Sequence, residues 1–235
     1  MVRIICFLLS ISLISSIYAQ PDYGSWDGFL RKYVSASGEV NYSKIKSNKS
    51  ELDNIIKSFS TVNIGSSWNK NEQLAYWINA YNAFTIKLIA DNYPLSSIQN
   101  LDGGKTWDVM RISIGGKKYS LNNIENDIIR KQFKDARIHF AVNCGAKSCP
   151  PLLNAAFLPS TLEAQLENQT KKIFTTSKLQ QLSASKVKLS KIMDWYASDF
   201  GNLIDFINKY SNIKINAKAK IEYLNYDWTL NDSKK

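Results

Sequence analysis

The chain has 235 residues, 44% of them hydrophobic and 21% charged, with 10 Gly and 5 Pro. That composition excludes a disordered, collagen-like or coiled-coil protein, and the length predicts one domain able to bury about 70% of its unfolded surface. Lys and Arg outnumber Asp and Glu 30 to 20, a formal charge of +10, which permits an anionic partner without requiring one.

Residues 1–19 read as a three-part secretory signal: Arg3 supplies the charge, Ile4 to Ile17 is almost uninterrupted apolar sequence, and Ala19 is the small residue before Gln20-Pro21. The apolar stretch of about fourteen residues is shorter than the roughly 20 that a spanning helix needs, and no later segment is free of polar residues for that length. The expectation is an exported chain of residues 20–235, secreted or periplasmic, not an integral membrane protein; the competing reading is an N-terminal anchor. Cys6 lacks the small-residue context of a lipidation site after it, and its removal with the leader leaves Cys144 and Cys149 in a compartment where disulfides persist.

No repeat, Gly/Ser linker or low-complexity block divides the chain. Helices are expected at 25–36 and 42–58, the latter from Leu52, Ile55, Ile56 and Phe59 at helical spacing. The strongest helix is 71–91, where Leu74, Trp77, Ile78, Tyr81, Phe84 and Leu88 form one stripe before Asn92-Tyr93-Pro94 stops it. Alternating apolar residues around Gly115-Gly116 predict a β-hairpin over 111–119, and Ser120 caps a helix to about Lys131. Residues 137–143 read as a buried strand that runs into a loop at 144–151. Helices at 160–174 and 190–208 follow, with short strands near 187–189, 213–216 and 220–229. Long helices and scattered strands without regular alternation give an α+β class: a helix-rich single domain with a small sheet and a hairpin.

His139 is the only histidine, so any imidazole acid–base step near neutral pH must use it; the alternative is a structural, hydrogen-bonded histidine. Cys144 lies where the chain enters Gly145-Ala146-Lys147-Ser148, small residues that admit a substrate to the backbone, with Lys147 near enough to favour the thiolate. Cys149, five residues on, could instead close a disulfide with it. His139, Cys144 and Cys149 could also be three zinc ligands, but the close-spaced ligand pairs are missing, so no metal and no cofactor are expected.

Glu125 falls on the apolar face of its helix with Leu121, Ile128 and Ile129 and needs a buried partner: Arg137 or Arg130 in an ion pair, or His139 as a residue whose tautomer it fixes. One geometric difficulty stands. Five residues of straight strand span about 16 Å, so His139 and Cys144 meet only if the chain turns sharply between Asn143 and Gly145. Asn79 and Asn82, polar within the 71–91 helix, either satisfy a neighbouring loop or orient the amide or carboxyl of a substrate. Between 170 and 220 there are ten lysines, no arginine and three acids, a pattern suited to diffuse attraction to an anionic surface and not to specific nucleic-acid binding.

At these residues the chain resembles the family called domain of unknown function 547. The matching stretches are Trp77–Ile86, Tyr93-Pro94, Tyr119–Glu125, Ile129-Arg130, Arg137–Leu152, Leu189–Ile192 with Trp195-Tyr196 and Asp199-Phe200, and Tyr223–Asn231. The resemblance covers about 65–231. It implies histidine directly after Glu125, where this chain has Asn126, and it implies no established activity. Two functions are therefore carried forward. One is a cysteine-dependent hydrolase or acyl transferase for an amide or thioester of a small molecule or peptide, with Cys144 as nucleophile, His139 as base and Glu125 as orienter, and Asn79, Asn82 and Lys147 toward substrate. The other is a non-catalytic domain that binds an anionic or peptide ligand and carries a structural Cys144–Cys149 bridge.

Overall fold

The computed structural model describes residues 20–234 apart from Ser66 and Ser177; the segment read as a leader, 1–19, lies outside the described residues. Helix α1 (Tyr23–Tyr33) starts on Asp22, whose carboxylate accepts the Ser25 N–H. The helix expected over 42–58 is two, α2 (Tyr42–Ser47) and α3 (Lys49–Ser60), because Asn48 leaves the helical region at φ −129°, ψ 46°. Helix α4 (Lys70–Asp91) opens with a reciprocal Asn69–Glu72 capping box, which satisfies two otherwise orphaned backbone donors. It is buried nearly all round from Leu74 to Ala90, so the stripe seen in the sequence is only part of what it buries. Helices α2 and α3 pack against it.

Strands β1 (Ile112–Ile114) and β2 (Lys117–Tyr119) form the expected hairpin, with Gly115 and Gly116 both at positive φ in the turn. Ser120 and Asn123 then cap each other through side chain and backbone. The helix they start is wound as a π-helix over Asn123–Phe133, against α4.

Residues 137–143 are not a strand. Ala136–Phe140 is a 3-10 turn, begun where the Asp135 carboxylate accepts the Arg137 N–H at 3.0 Å and the Arg137 guanidinium folds back onto it at 2.6 Å. Alternation of apolar residues over so short a run does not separate a strand from a tight helix. The turn sends its apolar side chains into different cores: Ile138 joins the large cluster built around α1–α4, and Phe140 a smaller one.

The smaller core lies among α5 (Leu162–Thr175), a three-stranded sheet, and the helices expected as one over 190–208. In the sheet, β4 (Lys186–Leu189) pairs antiparallel with β3 (Gln181–Leu182) and parallel with β5 (Lys220–Tyr223). The long helix is broken into α6 (Ile192–Trp195), α7 (Ala197–Phe200) and α8 (Leu203–Tyr210), with Gly201 at φ 64° before α8 and Asn202 capping it. No strand forms at 213–216, where the Asn208 amide bonds both the N–H and the C=O of Ile215 in place of a neighbouring strand. Beyond Tyr223 the chain continues as a loop, and Ala146 and Leu230 form an isolated β-bridge. The class is α+β and helix-rich, with two small sheets. Among the described residues no helix is long and apolar enough to cross a membrane.

Candidate active site

Asn143 shapes the cysteine loop. Its N–H donates to Asn82 Oδ1 at 2.8 Å, its amide nitrogen to the Pro150 carbonyl at 2.8 Å, and its Oδ1 accepts the Gly145 N–H at 2.8 Å. Gly145 turns the chain at φ +81°, and a Cβ there would lie 2.3 Å from Ile89 Cδ1, so only glycine suits this position. The sharp bend needed between Asn143 and Gly145 is therefore present. The 3-10 turn before it rises about 2 Å per residue instead of the roughly 3.3 Å of a strand. Together they remove the 16 Å difficulty and bring His139 and Cys144 to one cavity.

That cavity has a volume of about 310 Å³ and is lined by Cys144, Cys149, His139 and Glu125 among others. Cys144 is half-buried and Cys149 is buried, both as free thiols. The Cys144 N–H donates to Cys149 Sγ at 3.0 Å, and Tyr226 Oη lies 3.1 Å from Cys144 Sγ. Hydrogen bonds from the Cys149 thiol and then the Tyr226 hydroxyl pull the Cys144 thiol below its ordinary pKa, against the effect of burial. Burial, then the neighbouring sulfur, pushes Cys149 well above its own. Lys147 has no part in this. Its side chain is exposed, and the charge it faces is Asp227.

His139 is 2% exposed and stacks on the Tyr196 ring at 4.2 Å. Its Nε2 lies 2.8 Å from Asp199 Oδ2. Asp199 is also clasped by Arg130 through Nε at 2.6 Å and Nη2 at 2.9 Å, which with His139 holds the carboxyl down to about 2. Burial depresses the imidazole below 6.5 despite that carboxylate, so His139 is neutral at pH 7 and able to accept a proton. The carboxylate bonded to the imidazole is thus Asp199 and not Glu125. Glu125, 6% exposed, accepts the Tyr196 hydroxyl at 2.7 Å. None of the three partners expected for it pairs with it: Arg130 and His139 hold Asp199, and Arg137 is taken by Asp135 and Glu163.

Asn79 and Asn82 do not line the cavity. Asn79 joins Trp26 Nε1 to the backbone of Phe157, and Asn82 ties Ala141 and Asn143 together, so both amides are spent in holding backbone. Residues that sequence reasoning missed complete the cavity: Tyr196 against the histidine, and an aromatic wall of Trp107, Trp195, Tyr226 and Trp228; Asp199, also missed, holds the imidazole from outside the cavity lining. Within that wall Tyr226 and Trp228 are 4.6 Å apart and Trp195 stacks on Trp228 at 5.8 Å. The density of Trp and Tyr at 195–196 and 223–228 was the available signal, but nothing local linked it to 139–144. Among the described residues no Lys or Arg lines the cavity, and no group of three His, Cys, Asp or Glu side chains is placed to hold a metal ion.

Fold and site define a helix-rich α+β protein in which the Cys144 thiol, the His139 imidazole and the Glu125 carboxylate line one aromatic-walled cavity. Residues 65–173 match the family described as "Protein of unknown function, DUF547", so the chain carries a domain of that family. No curated protein and no solved structure matches the chain. The matched segment supplies Glu125, His139, Cys144 and Cys149, whereas Trp195, Tyr196, Asp199, Tyr226 and Trp228 all lie beyond it.

Proposed function

We propose that the chain is an exported, secreted or periplasmic, cysteine-dependent hydrolase or acyl transferase that acts on an amide or thioester of a small molecule or peptide. The observation that carries this reading is the presence of Cys144 and a neutral His139 on the wall of one cavity. His139 takes the proton of the Cys144 thiol, the thiolate attacks the acyl carbon, and the C–N or C–S bond breaks as the imidazolium passes that proton to the leaving group. Water or an acceptor nucleophile, losing its proton to His139, then attacks the thioester, and the freed Cys144 sulfur takes the proton back. With Nε2 engaged by Asp199, Nδ1 is the atom that exchanges this proton. Asp199 fixes the tautomer, and the Tyr226 hydroxyl beside Sγ is the donor nearest the developing oxyanion. Glu125 is a positioning residue that acts through Tyr196, the ring under the imidazole. The aromatic wall takes the non-reacting part of the substrate.

The lysines of 170–220 are offered as a face for an anionic surface; on the sheet, Glu222 already engages Lys186 and Lys220, each at 2.9 Å. The test is acylation of the reduced protein by a panel of activated thioesters and peptide amides, read by intact mass. The expected result is one acyl group on Cys144, with turnover lost in His139→Ala. Absence of a Cys144 adduct with every acyl donor would remove the reading.

A further inference from the structure

The two thiols differ in a way that acyl transfer does not require. Cys144 faces the cavity and is half-buried; Cys149 lies behind it, 6% exposed, with its sulfur 3.0 Å from the Cys144 backbone nitrogen. Tyr226 Oη lies 3.1 Å from Cys144 Sγ, and both cysteines and this tyrosine line the same cavity. The loop between them is pinned by Asn143 at Gly145 and Pro150, so the sulfurs are held together without a covalent bond. A hydrolytic thiol can take the same hydrogen bond from any donor, whereas thiol–disulfide exchange needs a sulfur at that place: an accessible attacking sulfur and a sheltered resolving one.

We infer that Cys144 and Cys149 form a redox-active dithiol that reduces a small-molecule or peptide disulfide entering the aromatic-walled cavity. The Cys144 thiolate attacks one sulfur of the substrate R–S–S–R. Its S–S bond breaks, one thiol leaves as RS⁻ and takes up a proton, and Cys144 is left in a mixed disulfide with the other half. Cys149, its proton relayed through the Tyr226 hydroxyl to the departing thiolate, then attacks Cys144 Sγ. The second RS⁻ departs and is protonated, and a Cys144–Cys149 disulfide remains. The substrate gains two electrons and two protons, and the cysteine pair loses the same number. The inference shares with the proposed function only the choice of Cys144 as nucleophile, not its action on a carbonyl. It also makes acyl transfer cease when the pair is oxidised.

The experiment uses the full exported chain, reduced and freed of reductant, then mixed with oxidised glutathione and followed by intact mass and peptide mapping. The wild type should lose two hydrogens, release two glutathione molecules and show Cys144 joined to Cys149. Cys149→Ser should stop at one glutathionyl group on Cys144, and Cys144→Ser should react at least about tenfold more slowly. A wild type that stays a dithiol in excess oxidised glutathione overturns the inference. So does a wild type that accumulates a stable glutathionyl adduct without closing the internal bond, or a Cys144→Ser variant that reacts as fast. Acylation of reduced protein is scored separately. Exchange without acylation removes only the carbonyl chemistry, and acylation without exchange removes only the redox pair.

Discussion

The Cys144 thiol is held below its ordinary pKa by neighbours that donate to sulfur, and the donors can be removed one at a time. Cys149→Ala deletes the first of them and Tyr226→Phe the second, so each should move the pH midpoint of iodoacetamide labelling upward, with the larger shift for Cys149→Ala. A Lys147→Ala control should leave the midpoint in place; movement there would mean that the thiolate is held by a surface charge. Asp199 gives a pH signature of its own. An acid held at about 2, below its unfolded value of about 3.9, contributes stability above that value and loses it as the pH falls toward 2. For His139 the folded pKa is depressed, so the unfolded chain binds the proton first and stability falls as the pH drops below about 6.5. Asp199→Asn should therefore flatten the dependence of Tm on pH between about 4 and 2 and leave the decline below 6.5 to be removed by His139→Gln. An acid limb identical to wild type would contradict the Asp199 pairing. At this scale the cavity cysteine, the histidine and the buried acid were legible because each is chemically singular in its segment. The histidine's true carboxylate was not, because Asp199 sits 60 positions away on a short helix that shows no periodicity of its own.

Among the elements, the cysteine loop is the one whose conformation depends most on single residues. Gly145→Ala would place a Cβ against Ile89 and force a left-handed φ, costing about 1–2 kcal/mol for the backbone alone. Asn143→Ala would orphan the Gly145 N–H and the Pro150 carbonyl, each costing about 1–3 kcal/mol when buried without a partner. Both variants should lower the melting temperature and slow Cys144 labelling together. A variant that loses stability with normal labelling would show that the loop does not set the thiol. The long helices were legible from spacing, α4 most of all, since a 22-residue helix with a capping box carries its signal in its own sequence. The strand expected at 137–143 failed because alternation over a few residues does not report which core receives each side chain. On a strand Ile138 and Phe140 would share one face, whereas here they enter two different cores. The break in 190–208 could have been drawn at Gly201, whose positive φ ends α7.

Across the whole molecule, two cores meet at the turn that carries His139, with α5 reaching into both through Leu166 and Phe174. Phe140→Ala, in the smaller core, should cost about 3–5 kcal/mol and also loosen His139, whereas Ile207→Ala in α8 should lower stability with less effect on Cys144 labelling. Far-UV circular dichroism and Trp fluorescence should report one coincident thermal transition; two separated transitions would mean that the cores unfold independently. The tail ties the assembly from the other end. The Asn231 N–H donates to the Gly145 carbonyl, Lys147 N–H to Thr229, and Leu230 N–H to Ser96, while the Asn231 side chain reaches Asn143 and Tyr42. During synthesis Cys144 leaves the ribosome long before these last strands of contact exist. In a chain still being made, Cys144 therefore lacks both the Tyr226 hydroxyl beside its sulfur and the backbone bonds that hold its loop, and these arrive together only when the final residues fold back.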